Sequence, residues 1–129
     1  MEFALLLPVF LFLVLGIVES GLAMTHYLAI QNAAREGARD AATGDITSAV
    51  TQRVINSAPA GTLSSSNVTL EKSTSGTGAW SALGDSQGQN NAATGDYVRV
   101  TVSLQHQWIT SLFSTTPTTL HSAVVARRE

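Results

Sequence analysis

Few side chains in this chain are of a type that does chemistry. The histidines are His26, His106 and His121, and there is no cysteine. His106 and His121 fall on or near the last two predicted strands, where they could be cross-strand neighbours. A zinc site ordinarily takes four ligands, and the third and fourth have no evident source here. We therefore expect no metal at these residues.

A second group of possible ligands lies in a stretch rich in Gly, Ser and Asn. Asp85, Asn90, Asn91 and Asp96 carry the oxygen ligands that calcium prefers, but their spacing is not that of an EF-hand. Calcium binding is thus an alternative, and our expectation is again no metal.

Other functional patterns are weak or missing. Asn67 begins an Asn-Val-Thr sequon, a candidate glycosylation site that also arises often by chance. No nucleophile motif and no phosphate-binding glycine loop is present, so we expect neither an enzyme nor a bound cofactor. The net charge of −2 and the lack of a basic cluster indicate no nucleic-acid partner. Trp80, Trp108 and Phe113 are expected to pack in the domain and not to form a binding platform.

These residues must be positioned by a chain that begins with a long helix. Residues 3–18 contain no charged side chain, and residues 20–43 are rich in good helix formers. We predict one continuous helix over 1–43, roughly 60 Å long, which is about twice the thickness of a bilayer core. Its apolar half would lie in lipid or in a fibre core, and its amphipathic half would carry a domain. The apolar run lacks the basic start and the cleavage site of a signal peptide.

Several residues of this helix call for an explanation. Pro8 removes one backbone hydrogen bond and is expected to kink or locally melt the helix. Gly16 weakens it further along. Glu2 and Glu19 are acids in an apolar segment, where a carboxylate usually has a partner; Glu19 could also mark the water boundary. Small residues recur on one side and predict close approach by another element, unless they reflect helix propensity alone. They are Gly16, Ser20, Ala23, Ala34, Gly37 and Ala41.

The remaining residues, 44–129, predict one small domain. Gly44 is the expected C′ residue of the first helix, and Asp45 the expected N-cap of a second helix over 46–57. Alternating apolar residues predict strands near 67–72, 96–107 and 119–127. Residues 73–95 are expected to form a long surface loop with a short hairpin, and 108–116 a single turn. The fold class is therefore α+β, with the long helix covering an antiparallel sheet of about three strands.

Both ends of the chain resemble a known family. The segments are Glu2-Phe3-Ala4-Leu5, Leu7-Pro8, Gly16-Ile17-Val18-Glu19, Gln31-Asn32-Ala33-Ala34-Arg35-Glu36-Gly37-Ala38-Arg39, the Val98-Val100-Val102 alternation and Ala126-Arg127-Arg128-Glu129. On these residues the chain resembles the TadE-like family of tight-adherence (Tad) pilus systems, a branch of the type IV pilin superfamily. Residues 57–95 carry no family signal.

The resemblance implies a bacterial inner-membrane precursor with its N-terminus in the cytoplasm and its domain outside. It implies cleavage of a basic leader by a prepilin peptidase, and assembly by an ATPase-driven machine into a helical homopolymer at the cell surface. In such pilins a glutamate near the mature N-terminus pairs with the terminal amine of a neighbour. Glu2 is the matching acid and Met1 the matching amine. With Phe3, Pro8, Gly16 and Glu19 they make up the predicted assembly residues.

We expect a pilus filament subunit that serves adhesion, surface attachment or motility. TadE-like proteins are generally regarded as minor components, so a minor pseudopilin that initiates the pilus is one alternative. A membrane-anchored binding domain that never polymerises is the other.

Overall fold

A single helix takes up the first third of the chain. Helix α1 spans Glu2–Thr43, 42 residues, or about 63 Å at the usual rise per residue. The computed structural model describes residues 2–59, 61–109 and 115–129, and of residues 2–5 it describes the backbone alone. The helix continues through Pro8 without interruption. Of the two effects expected of Pro8, local melting is therefore wrong, because proline removes only one hydrogen bond, and the kink stays a prediction.

Helix α1 ends at a glycine, as predicted. Gly44 has a φ of 101°, its N–H donates to the Ala41 carbonyl at 3.2 Å, and the Asp45 N–H donates to the Asp40 carbonyl at 3.2 Å. This pair of hydrogen bonds is the Schellman motif, with Gly44 at C′. A Cβ atom at Gly44 would also overlap the guanidinium of Arg128.

Groups from distant parts of the chain also donate to carbonyls at and just beyond this end of α1. The Asn90 side-chain amide donates to the carbonyls of Ala41, at 2.8 Å, and of Asp45, at 3.0 Å. Nη1 of Arg128 and the backbone N–H of Glu129 both donate to the Ala42 carbonyl, at 3.2 and 3.1 Å. Since the last carbonyls of a helix lack partners within it, these contacts tie the loop and the C-terminal residues to the helix end.

The second helix, α2, spans Thr47–Asn56, slightly shorter than the predicted 46–57. Its N-cap residue is Ile46, which makes no side-chain capping bond, so the prediction of Asp45 as the cap is wrong. The Asp45 N–H is already used in the Schellman motif, which holds Asp45 at the end of α1. Asp85, from the segment predicted to be a loop, caps α2 in place of Asp45. Its carboxylate accepts from the Thr47 N–H at 2.7 Å and from the Thr47 hydroxyl at 2.8 Å.

An ion pair connects the two helices. Nε of Arg53 in α2 donates to the Asp40 carboxylate in α1 at 2.8 Å. This hydrogen bond and the charge of Asp40 raise the pKa of the Arg53 guanidinium. Arg53 is mostly exposed, and an exposed pair of this kind contributes little stability.

The sheet is antiparallel and has four strands in the order β2-β1-β5-β6. The strands are β1 (Val68–Ser73), β2 (Ser81–Ala82), β5 (Tyr97–His106) and β6 (Thr118–Arg127). A separate hairpin is formed by β3 (Asp85–Ser86) and β4 (Gln89–Asn90). The three longer strands lie close to their predicted bounds. Strands β2, β3 and β4 all fall inside the predicted loop, because two-residue strands are too short to show an alternating pattern.

Helix α1 covers one face of this sheet, as predicted. Along β5 the buried residues alternate with partly exposed ones, and Val98, Val100 and Val102 have no exposed surface. Ile30, Ala33 and Ala34 of α1 are equally buried, and α1 contacts both β5 and β6. Burial of one valine is worth about 1.5–3 kcal/mol, so this face is the main source of the stability of the domain.

Close approach on this face requires a glycine. A Cβ atom at Gly37 would overlap a methyl group of Val54 in α2 and lie 3.3 Å from a methyl group of Val100 in β5. Buried Ala34 and Ala41 lie on either side of it along α1. The predicted stripe of small residues is therefore used inside the domain from Ala34 onward.

We predict that Gly37→Ala destabilises the domain, although alanine is the better helix former. The overlap is expected to cost about 1–3 kcal/mol, which exceeds the gain in helix propensity of about 1 kcal/mol. The measurement is urea unfolding of the full chain in detergent. Gly21→Ala is the matched control, because an added Cβ there meets no atom within 4 Å. Equal stability of the two variants would show that the contact at Gly37 is not tight.

Candidate membrane and assembly segment

The N-terminal half of α1 extends beyond the domain with its apolar side chains uncovered. The large apolar residues from Leu6 to Val18 are between 36% exposed, at Leu15, and 72% exposed, at Ile17. Within the described residues, α1 is a helix long and apolar enough to cross a membrane. A surface of this size and character is unstable in water, so it must be covered by lipid or by other protein chains.

The exposed apolar surface continues alongside the domain. Leu22, Met24, Tyr27 and Leu28 are 36–56% exposed. Met24 and Leu28 lie one turn apart on the same side of the helix, and we call these two side chains the lower apolar stripe. Residues 3–34 of the sequence contain a single Asp, Glu, Lys or Arg residue, which is Glu19. The lower apolar stripe and the apolar half of α1 therefore form one continuous surface of low polarity.

The predicted assembly residues occupy different environments. Met1 and the side chains of Glu2 and Phe3 lie outside the described residues. Pro8 is exposed and Gly16 half-buried on the extended part of α1. Glu19 is only 2% exposed, so it is not the exposed residue expected at a water boundary. Its carboxylate is covered within the subunit, which leaves the outer surface of the helix apolar at this level.

The structure brings together two histidines that the sequence did not suggest as a pair. Nδ1 of His26 in α1 and Nδ1 of His106 at the end of β5 are 3.0 Å apart, which is hydrogen-bond distance. One of the two Nδ1 atoms must carry a hydrogen and donate it to the other. Trp108 packs edge-on against His106 with ring centroids 5.1 Å apart, and its indole N–H donates to the Thr118 hydroxyl at 3.0 Å. His106 is 3% exposed.

The expected pairing of His106 with His121 is wrong. His106 lies opposite Thr118 in the register of β5 and β6, and His121 lies opposite Ser103. Because side chains alternate between the faces of a strand, His106 points to the helix and His121 to the exposed face. The sequence did indicate which face His106 would occupy. Its number is even, like those of Val98, Val100 and Val102, so its side chain lies on the same face of β5.

The possible calcium ligands are each engaged in a different structural contact. Asp85 caps α2, and Asn90 binds the end of α1. The Asn91 side-chain carbonyl accepts from the Gly84 N–H at 3.0 Å, and the Asp96 carboxylate accepts from the Ala93 N–H at 3.0 Å. Among the described residues, no group of three or more His, Cys, Asp or Glu side chains is placed to hold a metal ion.

The exposed face of the sheet carries a stacked cluster. The Arg99 guanidinium lies 4.2 Å from the centroid of the Trp80 ring, and its Nε and Nη2 both donate to one oxygen of Glu71, at 2.8 and 2.6 Å. Such a cation–π contact is worth about 0.5–1 kcal/mol at an exposed site. Trp80 therefore packs against its own domain, in line with its predicted role. Phe113 and most of the predicted turn over 108–116 lie outside the described residues.

Asn67 has a local structural role in a short 3₁₀ turn, Ser65–Asn67. Its side-chain oxygen accepts from the N–H and the hydroxyl of Ser64, both at 2.8 Å. Its glycosylation stays a prediction.

Comparison with known proteins concerns the helix. Residues 1–39 match the family model described as TadE-like protein. The N-terminal helix is TadE-like. The resemblance seen in the sequence is thus confirmed for this segment, which indicates a Tad pilus-associated protein anchored through its apolar helix. The TadE-like match ends within α1, and the sheet domain lies outside it. Neither a search of curated proteins nor a search of solved structures found a match.

We predict that Asp85→Ala lowers the stability of the domain by about 1 kcal/mol, the usual effect of removing a helix cap. The measurement is thermal unfolding in buffers that contain either calcium or a chelator. Asp96→Ala serves as the matched control. It also removes a carboxylate that was a possible calcium ligand, but this carboxylate bonds to the Ala93 N–H and does not cap α2. If calcium raised the melting temperature of the unmodified chain and Asp85→Ala removed that rise, Asp85 would be a calcium ligand.

Proposed function

We propose that this chain is a structural subunit of an extracellular Tad-type pilus, assembled through its apolar N-terminal helix. The apolar surface of α1, which continues past the extended half to the lower apolar stripe, is the observation that carries the proposal. Lipid would cover the extended half in the precursor, and neighbouring subunits would cover both parts in the fibre.

The length of this surface favours a role in assembly. Leu6 to Leu28 measures about 34 Å along the helix, slightly more than the hydrocarbon core of a bilayer. The domain already packs on α1 at His26 and Ile30. Contacts between helices of neighbouring subunits could therefore include residues at the level of the domain, which lipid alone would cover poorly.

The free energy of association has large opposing contributions. Removing each exposed Leu, Ile, Val or Phe from water is worth about 1.5–3 kcal/mol. The loss of subunit freedom opposes association by about 4–15 kcal/mol. Because lipid also satisfies the apolar surface, the assembly machinery would move the subunit from the membrane into the fibre. Repetition of one heterologous contact would then produce a helical filament.

We predict that Met24→Gln combined with Leu28→Gln reduces the amount of this protein in sheared filaments severalfold. These changes make the lower apolar stripe polar and leave the extended apolar half intact, so the amount in the membrane fraction should be unchanged. The measurement is shearing of cells followed by immunoblotting of both fractions. Val125→Gln is the matched control, because Val125 is 47% exposed on the opposite face of the sheet.

Three results of this assay would contradict the proposal. Recovery of the unmodified protein only in the membrane pellet would indicate a membrane-anchored domain that does not polymerise. A trace amount in filaments made mainly of another protein would indicate a minor pseudopilin. Normal filaments from the double variant would show that the lower apolar stripe is not an assembly contact.

A further prediction tests the residue at the start of the helix. Glu2→Ala should leave membrane insertion unchanged and reduce filament number, because the carboxylate that would pair with the terminal amine of a neighbour is lost. Filaments are counted by electron microscopy. Glu36→Ala, which removes the same charge from an exposed position of α1, is the control and should assemble normally. Unchanged filament number in Glu2→Ala would remove Glu2 from the assembly contact.

A further inference from the structure

The end of the sheet where β5 finishes and β6 begins lies beside the apolar surface of α1. Nδ1 of His106, the last residue of β5, is 3.0 Å from Nδ1 of His26. Glu19, about two turns nearer the N-terminus, is only 2% exposed, so the chain covers this side of α1 out to that level. The domain and the apolar surface from Leu6 to Leu28 therefore overlap along the helix.

The length of the apolar run determines how far a bilayer must extend along α1. Residues 3–18 contain no charged side chain and measure about 24 Å as a helix, less than the hydrocarbon core of about 30 Å. A core of that thickness takes about 20 residues, from Phe3 to about Leu22. The headgroup layer adds about 5–7 Å and lies at roughly residues 23–27. This is the level at which His26 contacts the end of β5.

The two chain segments at this level carry almost no charge. Glu19 is the single Asp, Glu, Lys or Arg residue in residues 3–34, and its side chain is covered. Residues 100–126 of the sequence contain none of these four types. Because a carboxylate or a guanidinium group is costly close to hydrocarbon, this composition is the one that contact with a membrane requires. The end of the sheet can therefore enter the headgroup layer without burying such a group.

The residues at this end of the sheet are of the types found at a membrane surface. Ile109 follows β5 and is 68% exposed, which is unfavourable in water and is relieved in lipid. Trp108 beside it is half-buried, and its indole N–H donates to the Thr118 hydroxyl at 3.0 Å. Tyr27 of α1, next to His26, is 38% exposed. Trp and Tyr are enriched where a membrane meets water, because each has an apolar ring and a polar group.

We propose that the end of the sheet bearing Trp108 and Ile109 is a second membrane contact, which lies in the headgroup layer of the bilayer that α1 crosses. The partner is a phospholipid surface. Ile109 enters it, and the rings of Trp108 and Tyr27 lie at its boundary with water. The contact fixes the height of the domain above the membrane. It belongs to the membrane-bound chain, so it does not depend on the chain forming a filament.

The two tryptophans lie at different heights above the proposed contact. Trp80 stacks on Arg99, and the next residue of β5, Val100, is beside Gly37 of α1. Gly37 is about 17 Å further along the helix than the level at which β5 ends. Trp80 is therefore in water when Trp108 is in the headgroup layer, and the two side chains can report on the contact and on its control.

The test is quenching of tryptophan fluorescence by brominated lipid, which acts at short range. Trp80→Phe leaves Trp108 as the single tryptophan, and Trp108→Phe leaves Trp80 as the matched control. The full chain of each variant is reconstituted in phosphatidylcholine vesicles that carry bromine either near the headgroup or near the end of the acyl chain.

Bromine near the headgroup should lower the emission of Trp108 severalfold, and bromine near the chain end should lower it less. Neither should change the emission of Trp80. Equal emission of Trp108 in brominated and plain vesicles would overturn the proposal. Stronger quenching near the chain end would also overturn it, because Trp108 would then lie inside the hydrocarbon core.

A second measurement leaves both tryptophans in place, in case a tryptophan variant does not fold. The sequence contains no cysteine, so Ile109→Cys provides a single site for a nitroxide label. Val125→Cys is the control, because Val125 is 47% exposed on the face of the sheet away from α1. In vesicles, the label at residue 109 should respond to oxygen, which dissolves in lipid, more than to a water-soluble nickel chelate. The label at residue 125 should show the reverse.

Two results with these labels would contradict the membrane contact. Equal access of the nickel chelate to residues 109 and 125 would place both in water. Shielding of residue 109 from both reagents, with spectral broadening by a second label, would show that another copy of the chain covers Ile109. That surface would then be a contact between subunits and not a contact with lipid.

Discussion

The packing of the small-residue face of α1 on the valines of β5 is the contact on which the rest of the structure depends. Gly37 allows the helix to approach Val54 and Val100 closely, and the alanines beside it are fully buried. A helix that is packed over its second half only must extend beyond the domain over its first half. The same interface thus stabilises the domain and presents the apolar segment to lipid or to other subunits.

The two ends of this interface are closed by different means. At the C-terminal end, a Schellman motif, Asn90 and Arg128 satisfy the carbonyls of α1. At the other end, Nδ1 of His26 contacts Nδ1 of His106, and Glu19 is buried further out on α1. The first end therefore depends on groups that bond to the carbonyls of the helix, and the second on contacts between side chains.

Strong local patterns in the sequence were sufficient for much of the fold. The apolar run, Gly44 at the helix end and the alternation in β5 and β6 each predicted the correct element, because each reflects a backbone preference or a burial pattern. The capping of α2 was not predictable, since Asp85 reaches Thr47 from another part of the chain. The pairing of His106 with His121 was wrong, because the register of two strands depends on the turn between them.

By itself the sequence determined that this protein has a long apolar helix, a small α+β domain and a TadE-like N-terminal segment. The helix and the domain follow from composition and periodicity, which are local, whereas the TadE-like segment is a resemblance carried by motifs in residues 1–39. The tertiary structure decided that Glu19 is covered and that His26 meets His106. It also decided that the calcium candidates serve as structural contacts, because each of these outcomes requires groups far apart in the chain to be brought together by packing.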